Sequence, residues 1–461
     1  MENTTVRIQQ VQLVNIKNVE KGTITFPNHV RSDNKIHRSE IIGIYGQNGS
    51  GKTALVDAMW ILKHIMSGNE LPKNTGDFIF SQSEKACIKI VFEVSTPANK
   101  SIAYYEIHIE RIEENKAQII KENLSFKELI DGVWTKKAGI IDYDISYEEV
   151  FRPAKNFKLL TSNNSEVHIN LGVAKKLSEK DFTSFIFSNE TETIINNCKE
   201  FDKYTKLIKG LKHYAKINLF IFSNNHSGII NLNLMIPLSF RLKDDKKTTQ
   251  GDLGIGLLKP SVVKKEVYEL VSKVINQMNI VLETIIPGLN IGVENYGKQL
   301  TKDGEEGIRI ELVSIRDKVK VPLKYESDGI KKFISILSTL ITMFNNPSVC
   351  MVVDELDAGI FEYLLGEILQ IINENGKGQL IFTSHNLRPL EMLDTASIIF
   401  TTTNPTNRYM RFTNVKSNNN LRNVYIRSIN LGGQKEEIYK ETNSFDISRA
   451  FRIAGRLIDE N

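Results

Sequence analysis

Apolar and polar positions change rhythm several times along the chain, and each change marks an element. Val6, Ile8, Val11, Leu13, Ile16, Val19, Ile24 and Phe26 fall at near-alternate positions, with a slip near Val14. Period-two spacing turns one face of a strand to a core, so this stretch predicts two strands, residues 6–17 and 21–26, with Gly22 near their turn. A polar loop, His29 to Ser39, follows. Glu40 to Tyr45 is a short, continuously apolar run and reads as a buried strand; Ala54 to Leu62 reads as a helix. After a break at Lys73-Asn74-Thr75-Gly76, Ala86–Val94 and Ile102–Arg111 alternate again and are rich in β-branched residues. With Ala117–Ile120 and Glu122–Leu129 they predict an antiparallel β layer. From Ala174 to Leu289 the spacing turns helical, over Lys180–Ser188, Glu190–Tyr214 and Lys264–Glu283; Val267, Leu270, Val271, Val274 and Met278 show it best. Strand spacing returns at Ile308–Leu312 and Val319–Leu323. A helix is expected over Ile334–Phe344, strands over Val349–Val353 and Gln379–Thr383, and a helix between them over Phe361–Asn373. The tail predicts short strands at Ile398–Thr401 and Tyr409–Phe412 and a final helix.

The junction between the strand at Glu40–Tyr45 and its helix reads Gly46-Gln47-Asn48-Gly49-Ser50-Gly51-Lys52-Thr53. Strand, glycine loop and helix is the context of a P-loop. Glycines let backbone N–H groups turn inward around a polyphosphate with no Cβ in the way. The helix N-terminus adds partial positive charge. In such a loop Lys52 reaches the β- and γ-phosphates and the Thr53 hydroxyl ligates Mg²⁺. Gly46, Asn48, Gly49, Ser50 and Gly51 supply the cradle, so ATP and Mg²⁺ are the expected cofactors.

The second half of such a site is a buried strand that delivers carboxylates to its C-terminal edge. Cys350-Met351-Val352-Val353-Asp354-Glu355 has that form. Asp354 is expected to hold Mg²⁺, and Glu355 to orient and deprotonate the attacking water. His385 follows the next apolar strand and is expected at the γ-phosphate. Ser327-Asp328-Gly329 opens a helix, and a Ser-x-Gly entry suits a helix N-terminus aimed at an anion, although it is also a common turn and cap.

Composition narrows the class. The 461 residues are 41% hydrophobic and 25% charged, ordinary for a soluble globular protein. A net charge of +4 from 59 basic and 55 acidic residues is too even to argue for nucleic acid by itself. Lys203, Lys206, Lys209 and Lys212 read as a solvated helix face, and the tail arginines (Arg408, Arg411, Arg422, Arg427, Arg449, Arg452 and Arg456) as surface charge. No run reaches the length of a membrane span and no signal peptide is expected at the first residues. Cys87, Cys198 and Cys350 are odd in number and far apart, so neither a metal cluster nor a disulfide framework is expected, and a reducing cytoplasm fits. Arg31 and His37 sit in a polar loop and are read as a chance pairing.

Together, Gly46–Thr53, Ser327–Lys331, Val352–Asp357 and His385 resemble the ABC-type ATPase heads. They are similar to the small AAA-type ATPases of bacterial anti-phage systems, the group that includes the overcoming-lysogenization-defect ATPase domain and the Septu ATPase. The resemblance implies an α/β fold: a P-loop ABC-type ATPase head with an antiparallel β layer and a helical insertion. The stretch at 166–295 is the helical insertion read from the periodicity; the resemblance covers an N-terminal lobe of the head (1–165) and a C-terminal lobe (296–461). It also implies a head-to-head homodimer or higher oligomer on ATP, in which Ser327 and Gly329 act across the interface, with Asp357 near it. The signature Ser-Asp-Gly-Ile-Lys departs from the transporter Ser-Gly-Gly-Gln, which argues against a transporter subunit. The expected function is a Mg-dependent ATPase that senses for, or regulates, a separately encoded effector such as a nuclease or toxin in anti-phage defence. The alternative is an SMC-like ATPase engaging DNA in repair or maintenance, and a non-hydrolysing scaffold stands third.

Overall fold

Strands that are apolar at every position belong in a sheet covered on both faces. The chain builds one. In the computed structural model, which describes residues 4–27, 39–97, 99–161, 165–244, 247–301, 303–412, 415 and 420–459, a six-stranded sheet runs in the order Tyr409–Met410, Ile398–Thr401, Glu40–Tyr45, Gln379–Thr383, Cys350–Val353, Leu219–Phe222. Five of these strands are parallel; Tyr409–Met410 is antiparallel to its neighbour. Successive side chains enter opposite cores. Ile42, Ile44, Cys350, Val352 and Ile381 join one cluster, while Ile41, Tyr45, Met351, Val353 and Phe382 join the other.

The first core lies between this sheet and an antiparallel sheet ordered Val19–Thr25, Thr5–Ile16, Lys85–Ser95, Lys100–Arg111, Ala117–Ile130, Val133–Trp134, with Ala138–Asp144 also paired to Ala117–Ile130. The helix Lys52–Met66 is sandwiched here, with Leu55, Met59, Leu62 and Ile65 fully buried. Each such side chain contributes about 1.5–3 kcal/mol, so the loop at its N-terminus stands on a rigid base. The second core packs the helices Lys265–Ile285, Asp328–Asn345 and Glu362–Asn375 on the other face. The hairpin Met235–Asp244 with Lys247–Gly256 joins it. So does a four-stranded sheet built on Glu306–Arg316.

The α/β class with an antiparallel layer is what the sequence predicts. Several details differ. Residues 166–295 are not helical throughout. Leu219–Phe222 is the edge strand of the six-stranded sheet, and two more strands form the hairpin. Lys180–Ser188 is not a helix: the helix Ser165–Lys180 ends where that stretch begins. The turn of the first strand pair falls at Lys17-Asn18, not near Gly22. Gly22 lies in the strand because Tyr409 packs over it; a Cβ there would come within 2.4 Å of the ring. Arg31 and His37 lie outside the described residues, as does the Arg456 side chain.

Four basic residues read as surface charge are tied in. Arg408 donates to the carbonyl oxygens of Thr402 and Asn18 at 2.6 Å each, and Arg411 bonds those of Ala396 and Thr25. Lys212, buried, pairs with Glu192 at 2.6 Å. Arg422 reaches Glu391 at 3.1 Å.

Candidate functional site

The C-terminal edge of the parallel sheet opens into a pocket of about 280 Å³. Lys17, Asn18, Asn48, Gly49, Gly51, Lys52, Thr53, Ala54, Asp354, Glu355, Thr383 and His385 line it. Of the residues singled out in the sequence, Asn48, Gly49, Gly51, Lys52, Thr53, Asp354, Glu355 and His385 therefore share one wall. Gly46 and Ser50 stand behind it: Gly46 accepts from Lys52 Nζ at 2.8 Å, and Ser50 Oγ donates to the Gln47 carbonyl.

The helix at Lys52 starts without a side-chain cap. Its first N–H groups have no partner within the helix, and they face the pocket as anion-directed donors. The Lys52 ammonium also bonds the Gln47 carbonyl at 3.1 Å. Burial holds its pKa below the usual lysine value, while Asp354, Glu355 and Asp357 pull it back up. Lys17, at the hairpin turn, pairs with Asp57 of the same helix, and Asn18 bonds the Gly49 carbonyl. Tyr409 donates to the Gly51 carbonyl at 2.7 Å.

The acidic side is organised by one hydroxyl. Thr383 Oγ1 bonds Asp354 Oδ1 and accepts from the Glu355 amide at 2.8 Å. Asp354 is 1% exposed, and its second oxygen, Oδ2, is buried with no partner. A buried carboxylate oxygen left unpaired is costly in a dry site. In a pocket that Thr53 also lines, it suits a hard divalent cation with oxygen ligands, Mg²⁺ above others. Glu355 is in the left-handed region, φ 51°, which strains a non-glycine residue by about 1–3 kcal/mol. Lys332, buried, holds that turn by donating to the carbonyl oxygens of Asp354 (3.2 Å) and Glu355 (2.6 Å). Burial lowers the Lys332 pKa as well, against the pull of Glu355. Asp357 Oδ2 accepts the amides of His385 (3.1 Å) and Asn386 (3.0 Å), which sets the direction in which His385 leaves its strand.

Ser327 and Gly329 are not in this wall. Ser327 caps the helix Asp328–Asn345 by accepting from the Ile330 amide at 3.3 Å. Ser327 and Asp328 at its entry are exposed, and the buried Gly329 sits against the loop after the carboxylates: a Cβ on Gly329 would stand 2.1 Å from the Gly359 carbonyl oxygen. Lys17, Asn18, Thr383 and Lys332 escaped the sequence reading. Thr383 is visible only as the last residue of an apolar strand, and the other three are brought in by packing between distant segments.

A family model described as "AAA domain, putative AbiEii toxin, Type IV TA system" matches residues 41–391. No curated protein matches the chain in sequence. Among solved structures, an SMC head bound to the C-terminal winged-helix domain of ScpA aligns over 88% of this chain and 98% of its own, with TM-score 0.41 and 13% identity. The SMC head domain from Thermotoga maritima aligns over 88% and 99%, with TM-score 0.37 and 14% identity. The recombination mediator RecF aligns over 83% and 94%, with TM-score 0.33 and 11% identity. Among the described residues no helix is long and apolar enough to cross a membrane.

Proposed function

We propose, for a chain that belongs to the AAA-domain family of the putative AbiEii toxin and type IV toxin–antitoxin type, a Mg-dependent ATP hydrolase that closes head to head on ATP and regulates a partner effector. The observation that carries the nucleotide reading is the unpartnered, buried Asp354 Oδ2 facing a glycine loop and an uncapped helix N-terminus. Thr53 and Asp354 are the residues that would hold Mg²⁺. Bound there, the ion would offset the charge that gathers between the β- and γ-phosphates.

The remaining roles belong to the chain itself. The Gly46–Gly51 loop and the helix N-terminus bind the phosphates, and Lys52 neutralises them. Glu355, held by Lys332 and Thr383, orients a water and takes its proton. His385, which lines the pocket, meets the terminal phosphate. Ser327 and Gly329 stand off the pocket wall of their own chain, and an exposed capping serine at a helix N-terminus suits the nucleotide of a second copy. The family description names a toxin–antitoxin context; the separately encoded effector and the role in anti-phage defence are part of the proposal. Free Cys87, Cys198 and Cys350 support a cytoplasmic setting.

Steady-state ATP turnover and solution mass with Mg-ATP test this reading. Glu355→Gln should cut turnover by about 10²–10⁴-fold while retaining ATP and shifting the mass to a dimer or higher order. Lys52→Ala should abolish that shift. Turnover unaffected by Glu355→Gln would remove the base assignment. An unchanged monomer mass would remove the trans site.

A further inference from the structure

On the outer face of the antiparallel sheet, away from the pocket, three metal-ligating side chains converge. Cys87 on the strand Lys85–Ser95 lies directly opposite His108 on Lys100–Arg111, and Glu106 is two residues back on the same face. Their neighbours Ile88, Ile90, Ile107 and Ile109 point the other way into the core, so the alternation of both strands fixes which way the three project. Cys87 Sγ is 3.6 Å from His108 Nε2 and 3.9 Å from Glu106 Oε1, and those two are 2.7 Å apart. Ligand atoms on a tetrahedral zinc ion, at about 2.3 Å for sulfur and about 2.0–2.2 Å for nitrogen and oxygen, stand roughly 3.4–3.6 Å from one another. Two of the three edges are within a few tenths of an ångström of that, and the third opens if the His108–Glu106 hydrogen bond gives way.

We propose that Cys87, Glu106 and His108 form a site for a zinc-class divalent ion, with the fourth position open to water or to a ligand from a partner. Thiolate, imidazole and carboxylate together select such an ion over Mg²⁺ or Ca²⁺, which want oxygen alone. Binding would exchange the Cys87 S–H bond for a metal–sulfur bond and release the proton to solvent. A cation already stands at the edge of the site: Lys89 Nζ is 3.0 Å from Glu106 Oε1. The Lys89 ammonium competes for the carboxylate the ion would use. The two strands are held by a continuous ladder, so the ligands are presented on a rigid platform. The site is separate from the nucleotide pocket, and the proposal does not rest on the ATPase reading.

The test is a Co²⁺ titration of the chelator-stripped full-length chain in excess Mg²⁺, followed by thiolate-to-cobalt charge-transfer absorption and competed with Zn²⁺. One equivalent of Co²⁺ with a charge-transfer band is expected. The band should vanish in Cys87→Ser. Affinity should fall at least about 10-fold in His108→Ala and Glu106→Gln, as for loss of any one ligand or its support. Lys89→Met should bind several-fold more tightly, a gain that a damaged fold would not produce. Absence of the band, its persistence in Cys87→Ser, or weaker binding in Lys89→Met would each overturn the proposal.

Discussion

A single hydroxyl sets two carboxylate positions. Thr383 Oγ1 fixes one oxygen of Asp354 and the backbone of Glu355, so the metal ligand and the base assigned here depend on one side chain. Thr383→Val keeps the shape and removes both bonds. It leaves Asp354 Oδ1 as unpartnered as Oδ2 and the Glu355 amide unpaired, at about 1–3 kcal/mol of stability. Orienting partners of metal ligands are worth about 10–100-fold in affinity, so the Mg²⁺ concentration for half-maximal turnover should rise by that factor. An unchanged Mg²⁺ requirement would contradict the role. Residue types with a fixed chemical duty were legible in the sequence: Lys52, Thr53, Asp354 and Glu355 follow from motif and strand context, and the structure gathers them. Thr383 was not legible, because its duty depends on the register between Gln379–Thr383 and Cys350–Val353, which no local pattern encodes.

Between elements, the helix Asp328–Asn345 comes very close to the loop after the carboxylates. Gly329 and Gly359 meet backbone to backbone, and a methyl on Gly329 would be driven into the Gly359 peptide. Gly329→Ala should destabilise the chain by about 1–3 kcal/mol, as overpacking does, read as a lower thermal midpoint; an unshifted midpoint would show that the loop yields freely. A second tie reaches the glycine loop from the tail: the Gln47 side chain accepts from the Lys440 amide at 3.1 Å and donates to the Lys440 carbonyl at 3.4 Å. Strands with clear flanks, Glu40–Tyr45 and Gln379–Thr383, read correctly from apolar runs. Leu219–Phe222 did not, since a four-residue apolar run just after a helix has no period of its own to separate it from helix. Arg408 and Arg411 were misread for a related reason: a buried or half-buried arginine that bonds carbonyl oxygens looks, in sequence, like any surface arginine.

At the scale of the molecule, a charged side chain is set into the first core. Glu122, fully buried, accepts from Tyr105 and Ser184 hydroxyls at 2.6 Å each and from the amides of Phe185 (2.7 Å) and Ile186 (3.4 Å). Burial raises its pKa despite those donors. A carboxyl whose pKa is higher in the folded than in the unfolded chain stabilises fully below its unfolded value, about 4.3, and loses that contribution as pH rises through the folded value. Glu122→Gln mimics the protonated acid. Its stability relative to wild type should therefore rise as pH climbs from about 4 towards neutrality, measured by denaturant unfolding across pH. A difference that stays flat would refute the shift. Glu122→Ala, which strands four donors, should cost about 3 kcal/mol or more. The edge of the other sheet has a further consequence. The Asp354 amide donates to the Phe222 carbonyl at 2.8 Å, at the end of the Leu219–Phe222 ladder. Residues 219–222 thus pull on the same peptide that carries the carboxylate. Excising the middle third would not simply trim the chain; it would bare a sticky strand margin and slacken Asp354, the proposed metal ligand. A partner that grips that third gains a mechanical handle on it, because a hydrogen-bonded ladder passes tension along with little give.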